Sequence, residues 1–283
     1  GEQNYFLTSE GNLTTQITKQ IIKREIENQY VNYYYLDDQL IKSRSESIMK
    51  QLQHNTALNR DYHPISYFQQ IQYWLSHFPY KFWIFAIVLT GLVLFMVIRL
   101  NPLSMGVFTA GFSATGLEML ILLVFQIIYG NVYFMTGIIF TLFMIGLAAG
   151  SQFQDRILKK IKISRFVAMQ WALGGFSLIL PLFFILLRKY YPSEIVIYTF
   201  FILVTIALGL LVGLIFSLAS QLKKGSYAAV SGEFYSVDSL GSAIGAIVVS
   251  IYLIPVLGLV NVALLIGLLN ILSGLYTFSA KSN

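Results

Sequence analysis

The sequence contains no cysteine and few charged residues for its length. Charged types make up 11% of the 283 residues and hydrophobic types 56%, whereas about 25% of the residues in a soluble domain are charged. The absence of cysteine excludes a disulfide scaffold, a cysteine-zinc site, an iron–sulfur cluster and a thiol nucleophile. The mean hydropathy of +0.68 excludes a simple soluble globule, a disordered chain and a fibrous repeat.

Patterns typical of enzymes and cofactor proteins are also missing. The histidines, His54, His63 and His77, are nine and fourteen residues apart, which does not match the spacing of metal ligands. No glycine-rich phosphate loop follows a strand pattern, and no Ser-His-Asp arrangement suggests itself. We therefore predict no catalytic residue, no cofactor and no metal ion in this chain. The formal charge of +6 is expected at a membrane surface rather than on nucleic acid.

The chain divides into two regions near residue 78. Residues 1–78 are polar, with patterns for two short strands (Tyr5–Thr8 and Tyr30–Leu36) and three helices (after Asn12, from Asp37 to about Gln53, and after Pro64). These patterns predict the tail of an α/β domain, because too few strands are visible to build a complete sheet. Asp37 and Asp38 either start their helix or form a paired-carboxylate site for a polyamine-like cation.

Residues 79–283 predict an all-α, multi-pass membrane bundle. A ~30 Å hydrocarbon core takes about 20 apolar residues to cross. Seven segments are candidates, of which the first is the shortest: 83–99, 107–129, 132–151, 166–187, 195–218, 236–256 and 259–279. Small-xxx-small glycine pairs predict close backbone contacts between helices; they are Gly146/Gly150, Gly209/Gly213 and Gly241/Gly245.

Loop charges predict the orientation of this bundle. If all seven segments cross, nine Lys and Arg residues share one side, five of them in the loop 152–165, and the opposite short loops hold only Arg188 and Lys189. The positive-inside rule then places the loop 152–165 in the cytoplasm, and we expect a bacterial inner membrane. An odd number of crossings puts residues 1–78 outside the cytoplasm, whereas they are cytoplasmic if the first segment does not cross.

Polar side chains within the spans are the candidate substrate or ion site. Glu118 lies at the middle of the second span, where insertion of a charged carboxylate costs about 2.5–3.5 kcal/mol. It either binds a proton, a cation or a substrate, or is a neutral group hydrogen-bonded between helices. Gln126, eight residues on, is predicted to extend the same face. Asp238, with Glu233 just before it, lies early in the sixth span, where a carboxylate can reach water.

Three amides inside the spans have a simpler interpretation. Gln170, Asn261 and Asn270 each stand alone in an apolar stretch. Lone amides in transmembrane helices commonly hydrogen-bond to a neighbouring helix. We predict that these three side chains hold helices together and do not form a site.

Six segments form an ordered set of motifs along nearly the whole chain. Three come first: NYFLTSEGNLTT, YVNYYYLDD (30–38) and LNRDYHPISYFQQIQYWLSHF (58–78). Three lie in the spans: GFSATGLEMLILLVFQIIYG (111–130), FMIGLAAGSQFQDR (143–156) and GEFYSVDSLGSAIGAIVVSIYLIPVLGL (232–259). The set resembles membrane-bound spermidine synthase-like proteins, the first three matching the end of the synthase-like domain and the others the C-terminal membrane block. The resemblance implies that residues 1–78 are the remnant of a Rossmann-like synthase domain. It also implies an upstream or separate chain that carries the nucleotide-binding turn and the catalytic acids, because no residue here matches them.

Three functions remain open from the sequence. The resemblance implies the C-terminal membrane portion of a spermidine synthase-like protein, which anchors or serves an aminopropyltransferase-like domain and is not catalytic alone. The second function is a transporter-like bundle for polyamine or another small solute, with Glu118 as its cation or proton site. The loop around Gly150, Asp155 and Arg156 resembles the acidic–basic loop of the major facilitator superfamily, which favours this function. The third is a structural subunit of a larger membrane complex. In each case the lipid bilayer is the expected partner.

Overall fold

The computed structural model describes residues 14–27, 37–51, 58–78, 80–130, 133–154, 156, 161–190 and 193–280. They belong to two compact units, Gly1–Ala57 and Leu58–Asn283. The first unit contains α1 (Ile17–Lys23) and α2 (Asp38–Gln51). The sequence pattern predicts a helix from about Asn12, whereas residues 14–16 are not helical and helix α1 begins at Ile17. The predicted strands Tyr5–Thr8 and Tyr30–Leu36 lie outside the described residues.

The second unit is a bundle of helices. Its helices are α3 (Ile65–Leu75), α4 (Tyr80–Ile98), α5 (Pro102–Tyr129), α6 (Tyr133–Gln152), α7 (Ile163–Tyr190), α8 (Glu194–Leu222), α9 (Tyr227–Val248) and α10 (Ile254–Ser279), with a π-helical turn (Val249–Leu253) before α10. Among the residues that the structure describes, five helical stretches are long and apolar enough to cross a membrane: Pro102–Tyr129, Met135–Gln152, Ile163–Leu187, Glu194–Leu222 and Tyr227–Ser279. The all-α, multi-pass membrane architecture is therefore confirmed, whereas the seventh crossing and the α/β remnant stay predictions.

The last of these stretches folds back on itself. It is 53 residues long, which is about 80 Å of helix and far more than one crossing needs. It breaks at Gly258, whose φ of 80° and ψ of 162° are not helical and favour glycine. Helix α9 runs parallel to α5 and α10 runs antiparallel to it, as four contacts show: Ser104–Glu233 and Gly116–Val249 for α9, and Gly116–Ile266 and Pro102–Thr277 for α10.

Helices α5 to α10 alternate in direction, so the bundle has two ends. We call the end at the first residues of α5, α7 and α9 the basic end. The last residues of α6, α8 and α10 meet it there, since Gln154 bonds Ser217 and Thr277 bonds the carbonyl of Pro102. Its charged side chains include Arg99, Arg156, Lys162, Arg165, Lys223 and Lys224. We call the opposite end, which holds Gly258, the distal end.

The segment before α4 docks at the distal end. The amide of Leu259 donates to the carbonyl of Tyr62 at 3.0 Å, and His63 Nε2 lies 3.0 Å from the carbonyl oxygen of Val256. Helix α3 follows Pro64, as the sequence predicts. Helix α4 then leads back to the start of α5 at the basic end, and its 19 residues span about 28 Å.

Glycines let two pairs of helices touch through their backbones, as the small-xxx-small pattern predicts. Between α6 and α8, a Cβ on Gly146 or Gly150 would meet the carbonyl of the facing helix, and so would one on Gly209 or Gly213. Between α5 and α9, Gly241 and Gly245 lie against the carbonyls of Phe108 and Phe112. The glycine pairs are therefore confirmed as packing seams, and any larger residue would push the helices apart.

We predict that Gly213→Ala destabilises the bundle. The added methyl would overlap the carbonyl oxygen of Leu147, and overpacking of this kind costs about 1–3 kcal/mol. Thermal unfolding in mild detergent should show a lower midpoint for this variant. Gly137→Ala on α6 is the control, because nothing lies within 4 Å of its Cβ position and alanine favours helix. Equal unfolding midpoints for the two variants would contradict the close backbone packing of α6 against α8.

Candidate functional site

Glu118 is the most deeply buried carboxyl group that the structure describes. Its side chain lies within α5 and is 3% exposed. Its Oε1 has no hydrogen-bond partner among the described residues. Buried polar atoms are nearly always hydrogen-bonded, so an unpartnered oxygen is unusual. The sequence alternative, a neutral glutamate that hydrogen-bonds to a neighbouring helix, has no support at Oε1. The group is chemically free to bind a proton or a cation.

The face of α5 that carries Glu118 also meets two other carboxyl groups. Ser104, Gly111 and Glu118 are seven residues apart, which places them on nearly one face of the helix in steps of about 10 Å. Ser104 Oγ donates to Glu233 at 2.8 Å. A Cβ on Gly111 would lie 2.7 Å from Oδ1 of Asp238. We call Glu233, Asp238 and Glu118, which follow this face from the basic end inward, the acidic seam.

Asp238 occupies the space that a glycine leaves open. Its half-buried carboxyl lies against the backbone of α5 at Gly111. One turn further, Ser242 Oγ donates to the carbonyl of Gly111 at 3.2 Å, and Thr115 Oγ1 lies 3.0 Å from the carbonyl of Ser242. Two hydroxyl groups therefore lie between the levels of Asp238 and Glu118. Both donate their hydrogen to a carbonyl, so the lone pairs of their oxygens are what remains to bind a ligand, which suits a proton or a cation better than an anion.

Glu233 closes the seam at the basic end. Its carboxylate forms an ion pair with Lys223. It also accepts hydrogen bonds from Ser104 Oγ and, at 3.3 Å, from Asn101 Nδ2. The sequence placed Glu233 beside Asp238 but did not assign it a role, because Ser104 and Asn101 are more than a hundred residues away along the chain. Lys223, ten residues before it, was the available signal.

Gln126 does not belong to this site. The sequence predicts it on the face of Glu118, but eight residues rotate a helix about 80° past two full turns. Gln126 is exposed, whereas Glu118 is buried. The residue that continues the face is Phe125, seven residues on and fully buried.

Aromatic rings close the same face toward the distal end. The ring of Phe125 stacks on Tyr129 at 5.4 Å and meets Phe201 edge-on at 5.1 Å. Tyr198 completes the group, 4.9 Å from Tyr129 between ring centroids. Glu118 therefore lies between a polar seam that leads to the basic end and an apolar, aromatic closure on the other side.

The amides predicted to join helices are confirmed in two cases of three. Asn270 Nδ2 donates to Ser113 Oγ at 2.6 Å, and Gln170 Nε2 donates to Ser273 Oγ at 3.0 Å. Both side chains are fully buried. Asn261 is different, because it is exposed and donates to the carbonyl of Leu257, on the other side of Gly258. This bond lies within the break and does not join Asn261 to a separate helix, so the prediction for Asn261 is not confirmed.

Asp37 and Asp38 act at helix starts. Asp37 Oδ1 accepts from the amides of Gln39 and Leu40, which caps α2. Asp38 Oδ1 accepts from the amide and the hydroxyl of Thr18, at 3.1 Å each, beside the start of α1. Desolvation, which raises the pKa of Asp38, is outweighed by these hydrogen bonds, so its pKa lies below the usual range. The geometry favours the helix-start role over a polyamine site.

Comparison with known proteins adds no relative. No family model matches the chain, and neither the curated proteins nor the solved structures contain a match. The resemblance to spermidine synthase-like proteins therefore stays a prediction from the sequence motifs. The acidic seam has to be interpreted from its own geometry.

We predict that dicyclohexylcarbodiimide, an apolar reagent for protonated carboxyl groups, modifies Glu118. The side chain is buried among apolar residues and its Oε1 is unpartnered, which are the conditions that this reagent needs. Mass spectrometry of the protein in detergent should find the adduct on Glu118 and none on Glu233, which is ion-paired. Glu118→Gln is the control. Modification of exposed Glu46 with no adduct on Glu118 would contradict the assignment.

Proposed function

We propose that the bundle binds a proton or a small cation at Glu118 and passes it along the acidic seam. The observation that carries the proposal is a fully buried carboxyl oxygen without a partner among the described residues, in the interior of α5. Ionisable groups inside a membrane bundle commonly mark ion or proton pathways. Asp238 and Glu233 supply two further carboxyl groups between this position and the basic end.

The charge of the seam supports a positively charged ligand. Three carboxyl groups lie along this face of α5, and the hydroxyls of Thr115 and Ser242 lie between the levels of Asp238 and Glu118. The cation nearest its mouth, Lys223, is already paired with Glu233. Release of that pair would free a carboxylate at the end of the seam, so Lys223 and Glu233 form the natural barrier between the seam and water.

The distribution of charge supports an orientation with the basic end in the cytoplasm. The positive-inside rule favours this placement, because the Lys and Arg residues of the loops collect at that end. Residues Leu58–Phe78 dock at the distal end and would then lie outside. This orientation counts against aminopropyl transfer in the cytosol, so anchoring of a spermidine synthase-like domain is the second proposal and has only the motif order in its support.

We predict that Glu118→Gln abolishes cation flux without loss of the folded protein. In proteoliposomes with an imposed membrane potential, a trapped pH dye should report proton uptake, and labelled sodium and putrescine should be tested beside it. The carboxyl group is the only change, so we expect flux to fall at least about tenfold. Gln126→Leu is the matched control on the same helix. Flux in Glu118→Gln equal to the native rate, or native flux no higher than in empty liposomes, would remove the proposal.

We predict that the two ends of the bundle differ in accessibility from outside the cell. The chain has no cysteine, so a thiol reagent labels only the single cysteine that is introduced. Gln69→Cys on α3 should react with a membrane-impermeant maleimide in intact spheroplasts. Lys224→Cys at the basic end should react only after the membrane is opened. The reverse pattern would invert the proposed orientation and return residues 58–78 to the cytoplasm.

A further inference from the structure

Helix α3 presents three different faces. Ile65, Phe68, Ile71 and Leu75 are half-buried along one side. Exposed Ser66, Gln69 and Gln72 lie on a more polar side, where Tyr73 is the one exposed aromatic residue among those described. The remaining edge is aromatic and consists of Tyr67, Trp74 and Phe78, which are 66%, 66% and 39% exposed. The spacing of seven residues places Tyr67 and Trp74 on one side of the helix. Phe78 lies just beyond the helix end, with its ring centroid 6.4 Å from that of Trp74.

The position of α3 indicates what covers this aromatic edge. The helix follows the contacts of Tyr62 and His63 with the residues on either side of the break at Gly258. The ring of Phe68 meets that of Tyr252, in the π-helical turn, at 5.7 Å. This is the level at which two of the apolar helices end and the chain turns back. Helix α4 starts at Tyr80, shortly after the aromatic edge.

We infer that α3 is an interfacial helix whose aromatic edge (Tyr67, Trp74 and Phe78) inserts into the lipid headgroup region at the distal end. Tyr and Trp prefer this depth because their rings are apolar and their polar atoms remain hydrated. The half-buried side of the helix faces the bundle and the polar side faces water. The inference concerns lipid contact alone and does not depend on the proposed function of Glu118.

The chemistry of the segment also defines the kind of lipid. The stretch from Ile65 to Phe78 contains no Asp, Glu, Lys or Arg. Basic amphipathic helices owe part of their membrane affinity to electrostatic attraction by anionic lipids. This segment has no Lys or Arg side chain that could make such an interaction. A zwitterionic phosphatidylcholine surface is therefore sufficient, and its replacement by an anionic mixture should not change the depth of the aromatic edge.

Depth measurements on single-cysteine variants test this inference. Trp74→Cys and Tyr67→Cys place a fluorescent label on the aromatic edge, and Gln69→Cys places it on the polar side as the matched control. The labelled proteins are reconstituted in phosphatidylcholine nanodiscs. We expect a headgroup-level nitroxide lipid to quench the labels at 67 and 74 at least about threefold more than the label at 69. Iodide in the aqueous phase should quench the label at 69 more than the labels at 67 and 74. Replacing the phosphatidylcholine by an anionic lipid mixture should change neither quenching pattern.

Two outcomes would overturn the inference. If iodide reaches all three labels equally and the nitroxide lipid reaches none, the aromatic edge faces water and is available to a protein partner instead. If the nitroxide lipid quenches the label at 69 as strongly as that at 74, α3 has no preferred side toward the membrane. Because two positions on the edge are measured, a local disturbance by one label does not decide the result.

Discussion

The contact of α5 with α9 through glycine is the constraint on which the rest of the structure depends. Gly241 and Gly245 have no side chain between their backbone and the carbonyls of Phe108 and Phe112, and Gly111 leaves room for Asp238. This close approach fixes the register of the two helices. That register brings Glu233 to Ser104 and Asp238 to Gly111, and it aligns both acids with the face of Glu118. The acidic seam is thus a consequence of backbone packing.

The seam is asymmetric along the membrane normal. At the basic end, Glu233 is ion-paired with Lys223 and accepts hydrogen bonds from Ser104 and Asn101. In the interior, Glu118 has apolar surroundings, and the rings of Phe125 and Phe201 lie beyond it. In the proposed pathway, a positive ligand moving inward from the basic end would meet Glu233, then Asp238, and last Glu118.

Local patterns in the sequence predicted the helices and their glycine contacts, because spacing along one helix determines which residues share a face. The predicted ends of the helices were less accurate. Helix α9 begins at Tyr227 and not near residue 236, because Ser226 caps it. Its acidic residues Glu233 and Asp238 face α5 in the acidic seam, so they do not interrupt the helix. The error at Gln126 came from treating eight residues as two full turns. The role of Glu233 depends on Ser104, which only tertiary packing brings near it.

The most direct test of the account is whether Glu118 changes its protonation state in the folded bundle. Infrared difference spectroscopy on the protein in nanodiscs detects the carbonyl stretch of a protonated carboxyl group, and Glu118→Gln identifies the band. We expect a band that disappears as the pH is raised and shifts in heavy water, because the proposed pathway requires protons to reach Glu118 along the acidic seam. A band that stays constant at every pH would contradict this and make Glu118 a permanently neutral packing group.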